Sequence, residues 1–382
     1  MVLGLALLPS MAWAKSWCAR PLVVDEWGVQ VFDARGAATG PPVAMPGFFH
    51  STAGTASAAS ARVSDLPPDG GERDLPILHI TARDNDDRIP LAIGVGFTAG
   101  AATLWYPQVD ALRPELAANS PAANAIRAGL VAARGQLTTF GARPRLPDDP
   151  TRQLEWRSLL LTRAPLRAPQ ASDIAWVHKA RSLAKTLWVN GANETERFVF
   201  FEGKTRERVA LRLERGSRYS STFRHYVLTN ASSFAVHDVF VVHREGDAVF
   251  VFNAPAIPAG ATAGFVLEEH RVVAAEREAR TTTALRHQLA VTRVEETKCE
   301  MGRDPAIPVE RASGHALAVD EVDTLLAVWA PAMFGKSGTT IVYREDPAYL
   351  DRVMPLSLFT DMYHYIELHR TGLALWQNVV LP

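Results

Sequence analysis

The amino-acid sequence predicts a mainly β fold with some α, in which an antiparallel, sandwich-like core carries helices concentrated in the C-terminal third. Three observations predict it. Short apolar runs rich in β-branched and aromatic residues recur from 196 to 269 at about ten-residue spacing, a rhythm that suits an antiparallel sandwich rather than a doubly wound sheet. Two of these runs, Val239–His243 and Ala248–Phe252, flank Arg244-Glu-Gly-Asp247, which is a hairpin pattern. Helical spacing then takes over in 271–296 and 316–334.

The elements follow in order. Pro21–Phe32 (PLVVDEWGVQVF) reads as a strand broken at Gly28. Residues 34–74, rich in Gly, Ala, Ser and Pro, read as a long excursion expected to be mobile. Leu75–Thr81 and Ile89–Phe97 are two strands around the polar turn Arg83–Arg88. An alanine-rich amphipathic stretch follows at 121–135, then a Pro/Asp-rich loop, then a strand in which Leu154, Trp156, Ser158 and Leu160 alternate with their neighbours. The second amphipathic helix, 316–334, is expected to end near Pro331, because proline removes a backbone donor. Strands at 339–343, 363–368 and 373–376 close the chain. Residues 15–270 thus read as a β-rich domain, and 271–382 as helical segments and strands packed on the same core.

Composition excludes several classes. Of 382 residues 47% are hydrophobic and 21% charged, the mixture of an ordinary globular chain. Forty basic side chains against 41 acidic ones leave a formal charge of -1, with no basic field to attract nucleic acid. Two cysteines exclude a dense disulfide scaffold and an all-cysteine metal centre. Residues 1–14 form a short apolar run ending in Ala12-Trp13-Ala14, which reads as a signal peptide although no Lys or Arg precedes it. The run is too short to span a bilayer, which takes about 20 residues, and no transmembrane span is expected. The expected product is periplasmic or secreted. In that oxidising setting Cys18 and Cys299 are expected to form a disulfide. Closing so long a loop would contribute roughly 4–5 kcal/mol in the chain-entropy model.

Motifs that carry chemistry are incomplete. Ser182-Leu-Ala-Lys185 and Lys336-Ser-Gly-Thr339 resemble two fragments of the penicillin-recognising serine enzymes, but the S-x-N element between them is missing. Phe334-Gly-Lys-Ser-Gly is not a P-loop, because Ala330 stands where the first glycine belongs. Asp84–Asp87 lacks the glutamate that a calcium loop needs at its twelfth position, which is Val95. In Tyr363-His-Tyr-Ile-Glu-Leu-His369, strand alternation puts Glu367 and His369 on one face and His364 on the other. This segment alone supplies no three-ligand zinc site.

Several phrases resemble a group of exported bacterial proteins, frequent in myxobacteria and planctomycetes, that carry an N-terminal His-Glu-Trp-Gly-Thr-Phe signature. The matching segment here is Pro21–Phe32, with Asp25 in place of the histidine and Val29 in place of the threonine. Trp105-Tyr-Pro107, Glu196–Gly203, the helix ending near Trp329, Thr340–Tyr343 and Val353–Leu356 look similar too. The resemblance implies export and overall organisation. It implies no reaction and carries over no catalytic residue.

These readings favour a non-catalytic exported protein, a binding or structural module of the periplasm or cell surface with a protein, peptide or glycan ligand and no cofactor. The binding candidates are Glu26, Trp27, Arg181, His364 and Glu367. The alternative is an exported hydrolase, metal-assisted or not, assembled from Glu26, Arg181, His364 and Glu367. Each is a polar side chain in apolar or aromatic surroundings, where burial demands a partner.

Overall fold

The computed structural model describes residues 20–36, 44–51, 71–82, 88–98, 100–113, 152–205, 208–217, 220, 222–290, 310–311, 317–361 and 364–382. The signal-peptide, Cys18–Cys299, Asp84–Asp87 and 121–135 readings lie outside these residues, as do 37–43 and 52–70 of the expected excursion.

In chain order the strands begin with β1 (Arg20–Phe32), β2 (His50–Ser51), β3 (Gly71–Ala82), β4 (Ile89–Gly96), β5 (Ala101–Tyr106), β6 (Ala111–Arg113) and β7 (Gln153–Thr162). The middle of the chain adds β8 (Trp188–Asn190), β9 (Thr195–Glu196), β10 (Val199–Thr205), β11 (Leu211–Arg215), β12 (His225–Asn230), β13 (Val236–Glu245), β14 (Ala248–Ile257) and β15 (Thr262–Val266). The last are β16 (Arg271–Val272), β17 (Glu310–Arg311), β18 (Gly338–Glu345), β19 (Leu356–Thr360) and β20 (His364–Trp376). Helices α1 (Ala175–Arg181), α2 (Thr282–Leu289), α3 (Val319–Phe334) and α4 (Pro347–Val353) are interspersed, with a single turn at Arg277–Arg280. The fold is mainly β with some α.

Among the described residues the strands make three sheets. The largest runs β16-β14-β13-β18-β20-β1-β3-β10-β5-β2, with β17 against β20. A second runs β19-β4-β7-β8-β9 with β6 on β7, and a third is β11-β12-β15. Strand pairing is antiparallel except for β1–β20 and β17–β20, which are parallel. A parallel pair needs a crossover, and here nearly the whole chain is that crossover.

Period-two alternation on the central strands builds the layers. Trp27, Val29 and Val31 of β1, with Leu373 and Leu375 of β20, face the helices α1, α2 and α3 in one apolar cluster. On the opposite face Leu22, Val24, Ile366 and Leu368 pack against β4, β7 and β19. Further along that face Phe32, Ala374 and Trp376 pack against β11, β12 and β15. The large sheet is therefore sandwiched between helices and two smaller sheets. Because β1 and β20 feed all three clusters, N- and C-terminal segments share one core.

Three boundaries differ from the sequence reading. β1 does not break at Gly28; it stays in register with β20, and only its pairing with β3 shifts, between Trp27 and Val29. β3 begins at Gly71, inside the span read as an excursion. Helix α3 continues through Pro331 to Phe334, and the amide of Gly335 bonds to the Pro331 carbonyl. Pro331 sits in the last turn, so it costs the helix a single backbone bond. Among the described residues no helix is long and apolar enough to cross a membrane.

Candidate functional site

Register decides which polar side chains meet in the core. Asp25 of β1 lies opposite His79 on one side and His369 on the other. All three belong to the sheet face covered by α3. His369 Nδ1 is 2.9 Å from Asp25 Oδ1, and its Nε2 is 3.1 Å from Glu367 Oε1. Both ring nitrogens thus face carboxylate oxygens. From α3, Glu321 Oε2 lies 2.8 Å from His79 Nδ1 and accepts the Trp27 indole N–H at 2.9 Å. Asp25, His79, Glu321 and His369 are all buried, none more than 2% exposed. Burial holds the Glu321 carboxyl above the usual carboxylate range, against the opposing pull of His79 and Trp27. Among the described residues His79 Nε2 is buried without a hydrogen-bond partner. This row fixes α3 to the sheet, and it is shut off from solvent except at Glu367.

The opposite face carries a second buried ion cluster. Arg370 bonds to Glu26 through Nε and, at 2.9 Å, through Nη2. It also reaches Asp351 at 2.9 Å and the Met354 carbonyl at 3.0 Å, tying β1, β20 and α4 together.

The residues singled out from sequence are held by separate partners. Glu26 belongs to the Arg370 cluster, and Trp27, its neighbour, points to the other face and bonds Glu321. Arg181, at the end of α1, makes a bidentate pair with Glu196, at 3.0 Å and 2.6 Å. That pair stands near Tyr106, whose phenol is pushed well above its usual value by burial, then by Glu194 and Glu196. His364 Nδ1 is 2.8 Å from Asp361. His364 and Arg370 stand six positions apart on β20, about 20 Å of strand. Glu367 shares a face with His369, as the alternation of the segment predicts, and lies on the face opposite Glu26. The structure therefore does not bring Glu26, Arg181, His364 and Glu367 into one hydrolytic site. Ser182 is likewise spent on a backbone bond to the Lys179 carbonyl, and Lys336 on Gln377.

A solvent-reachable groove of about 710 Å³ lies elsewhere, between the start of β11, the β12–β13 loop, the end of β18 and α4. Its size falls in the range of small-ligand clefts. Each wall is locally determined. Asn230, fully buried, donates to the carbonyls of Phe234 and Ile257 at 2.8 and 2.9 Å and accepts from Ser232, which pins the 231–235 loop. Asp238 has a positive φ of 48° where the β13–β18 register shifts, and its carboxylate holds Arg344 at 2.6 Å. Asp346 caps α4 by accepting the Ala348 amide at 2.8 Å, with Pro347 in the first turn. The capped helix then presents Tyr349 and Arg352, three residues apart, on one face. Phe234 meets the Tyr349 ring edge-on at 5.6 Å, and the Arg352 guanidinium lies 4.8 Å over the Phe234 ring. The outcome is an aromatic–arginine platform open to solvent. Sequence reasoning missed it because its three stretches of chain lie up to 144 positions apart. The legible signal was the Asp346-Pro347 helix start, followed by Tyr349 and Arg352.

Among the described residues no group of three or more His, Cys, Asp or Glu side chains is placed to hold a metal ion. No family model matches the chain, and no curated protein matches it. Among solved structures, one match is the Fcho1 Mu homology domain of Danio rerio with bound Eps15 peptide, at 7% identity and a TM-score of 0.29, covering 95% of this chain and 97% of that one. A superposition of that quality establishes no common fold.

Proposed function

We propose that this chain is a non-catalytic binding protein of the periplasm or cell surface, and that it takes a segment of a protein or peptide ligand in the groove between β11, the β12–β13 loop and α4. The observation that carries this reading is the contrast between two kinds of polar site. The titratable clusters around Asp25, Glu321 and Arg370 are closed inside the core, where a substrate has no access. The groove is open and its walls are fixed by Asn230, Asp238 and Asp346. Aromatic and arginine side chains are the types enriched where proteins recognise other proteins. A glycan is the less suitable ligand, because sugars stack on open ring faces and the Phe234 ring is already covered by Arg352. The placement outside the cytoplasm rests on the apolar N-terminal sequence.

Selection of a random peptide library on the full chain tests this reading. Peptides enriched by the wild type are expected to lose binding to a Ser233→Trp variant, which fills the groove mouth without touching the core. Enrichment that survives the substitution, or no enrichment, contradicts the proposal.

A further inference from the structure

We infer that the groove selects an acidic peptide segment, with Arg352 as the residue that reads a carboxylate. This deepens the groove reading and rests on it. Arg352 is exposed and stacked, 4.8 Å from the Phe234 ring centre and 5.9 Å from that of Tyr349. A guanidinium stacked on a ring keeps its N–H groups in its own plane, where a planar carboxylate docks side-on. Its only side-chain hydrogen bond among the described residues is a long one, 3.4 Å to Ser233 Oγ. No carboxylate within the described structure neutralises it.

The charges around it point the same way. Arg212 also lines the groove. Arg212 faces Glu214 at 3.9 Å with both side chains largely exposed, a pairing of little energy that a ligand carboxylate can replace. The groove's acidic groups, by contrast, are committed to the fold. Asp346 caps α4 and lies 3.3 Å from His237, and Glu345 is buried, 4% exposed. The groove therefore offers positive charge to a ligand while its negative charge is turned to structural use. Stacking on two rings also holds the arginine in place beforehand, so little side-chain entropy is lost when it binds.

The test is calorimetric titration of the full chain with two short acetylated peptides, Gly-Glu-Glu-Glu-Gly and Gly-Gln-Gln-Gln-Gly, against wild type, Arg352→Gln and Arg352→Lys. The glutamate peptide is expected to bind the wild type with affinity that falls as salt rises, and the glutamine peptide to bind at least tenfold more weakly. Arg352→Gln is expected to lose at least tenfold. Arg352→Lys keeps the charge and loses the flat fork, so it should retain part of the binding. Unfolding midpoints unchanged from wild type would show that both variants are folded. Equal binding of the two peptides, no binding of the glutamate peptide, or no effect of Arg352→Gln overturns the inference. The groove reading fails separately, when library-selected peptides of any charge ignore Ser233→Trp.

Discussion

His369 and Asp25 stand in register on two parallel neighbouring strands, Nδ1 2.9 Å from Oδ1, and each side chain is only 1% exposed. The residues are 344 positions apart, so this contact joins the two ends of the described chain inside the core. His369 also faces Glu367, so each single substitution strips one hydrogen-bonded contact from a buried polar row, a loss that typically costs about 1–3 kcal/mol. His369→Phe and Asp25→Leu are each expected to destabilise by about that amount, and the double substitution by less than the sum. Denaturant unfolding of the four proteins in a double-mutant cycle checks it; additive losses would mean that the contact contributes no coupling.

A pH experiment isolates Glu321. Its folded-state carboxyl is held above the ordinary 4.5, chiefly by burial. A raised carboxyl adds stability that is fully present below the unfolded value and is lost as pH rises through the folded one. Glu321→Gln removes that titration and keeps an acceptor for the Trp27 N–H. The stability of the variant relative to wild type should therefore rise as pH increases from below 4.5 towards neutrality. Other carboxylates, such as Asp323 beside Arg286, titrate in both proteins and cancel in the difference. Chemical denaturation across that range measures it, and a flat or falling difference contradicts the assignment.

Packing makes a sharper demand at Gly203. A Cβ there would stand 2.1 Å from Phe97 Cε1, and Phe97 is fully buried. Overpacking of this kind costs about 1–3 kcal/mol. Gly203→Ala should lower the unfolding midpoint accordingly, while Gly47→Ala, where a Cβ meets nothing within 4 Å among the described residues, should not. Equal effects at the two glycines would contradict the packing described.

What the sequence disclosed is local. The Ala248–Phe252 hairpin partner of Val239–His243, the strand at Leu75–Thr81 and the shared face of Glu367 and His369 all follow from alternation and turn residues over a few positions. The parallel β1–β20 pair does not, because alternation says which face a side chain takes and not which strand lies beside it. Trp27, a candidate from sequence, turned out to bond Glu321 from a helix 294 positions away. His79 and Arg370, which help organise the buried clusters, carried no distinguishing spacing. The groove is the extreme case, since it exists only after three distant stretches of chain have packed.

A ligand docked in the groove would protect the backbone amides of its walls. Hydrogen exchange of the full chain, with and without a library-selected peptide, tests it most directly. Slowed exchange confined to 208–212, 231–236 and 343–352 is the predicted result. Protection that falls instead on another surface, with these three segments unchanged, would contradict it.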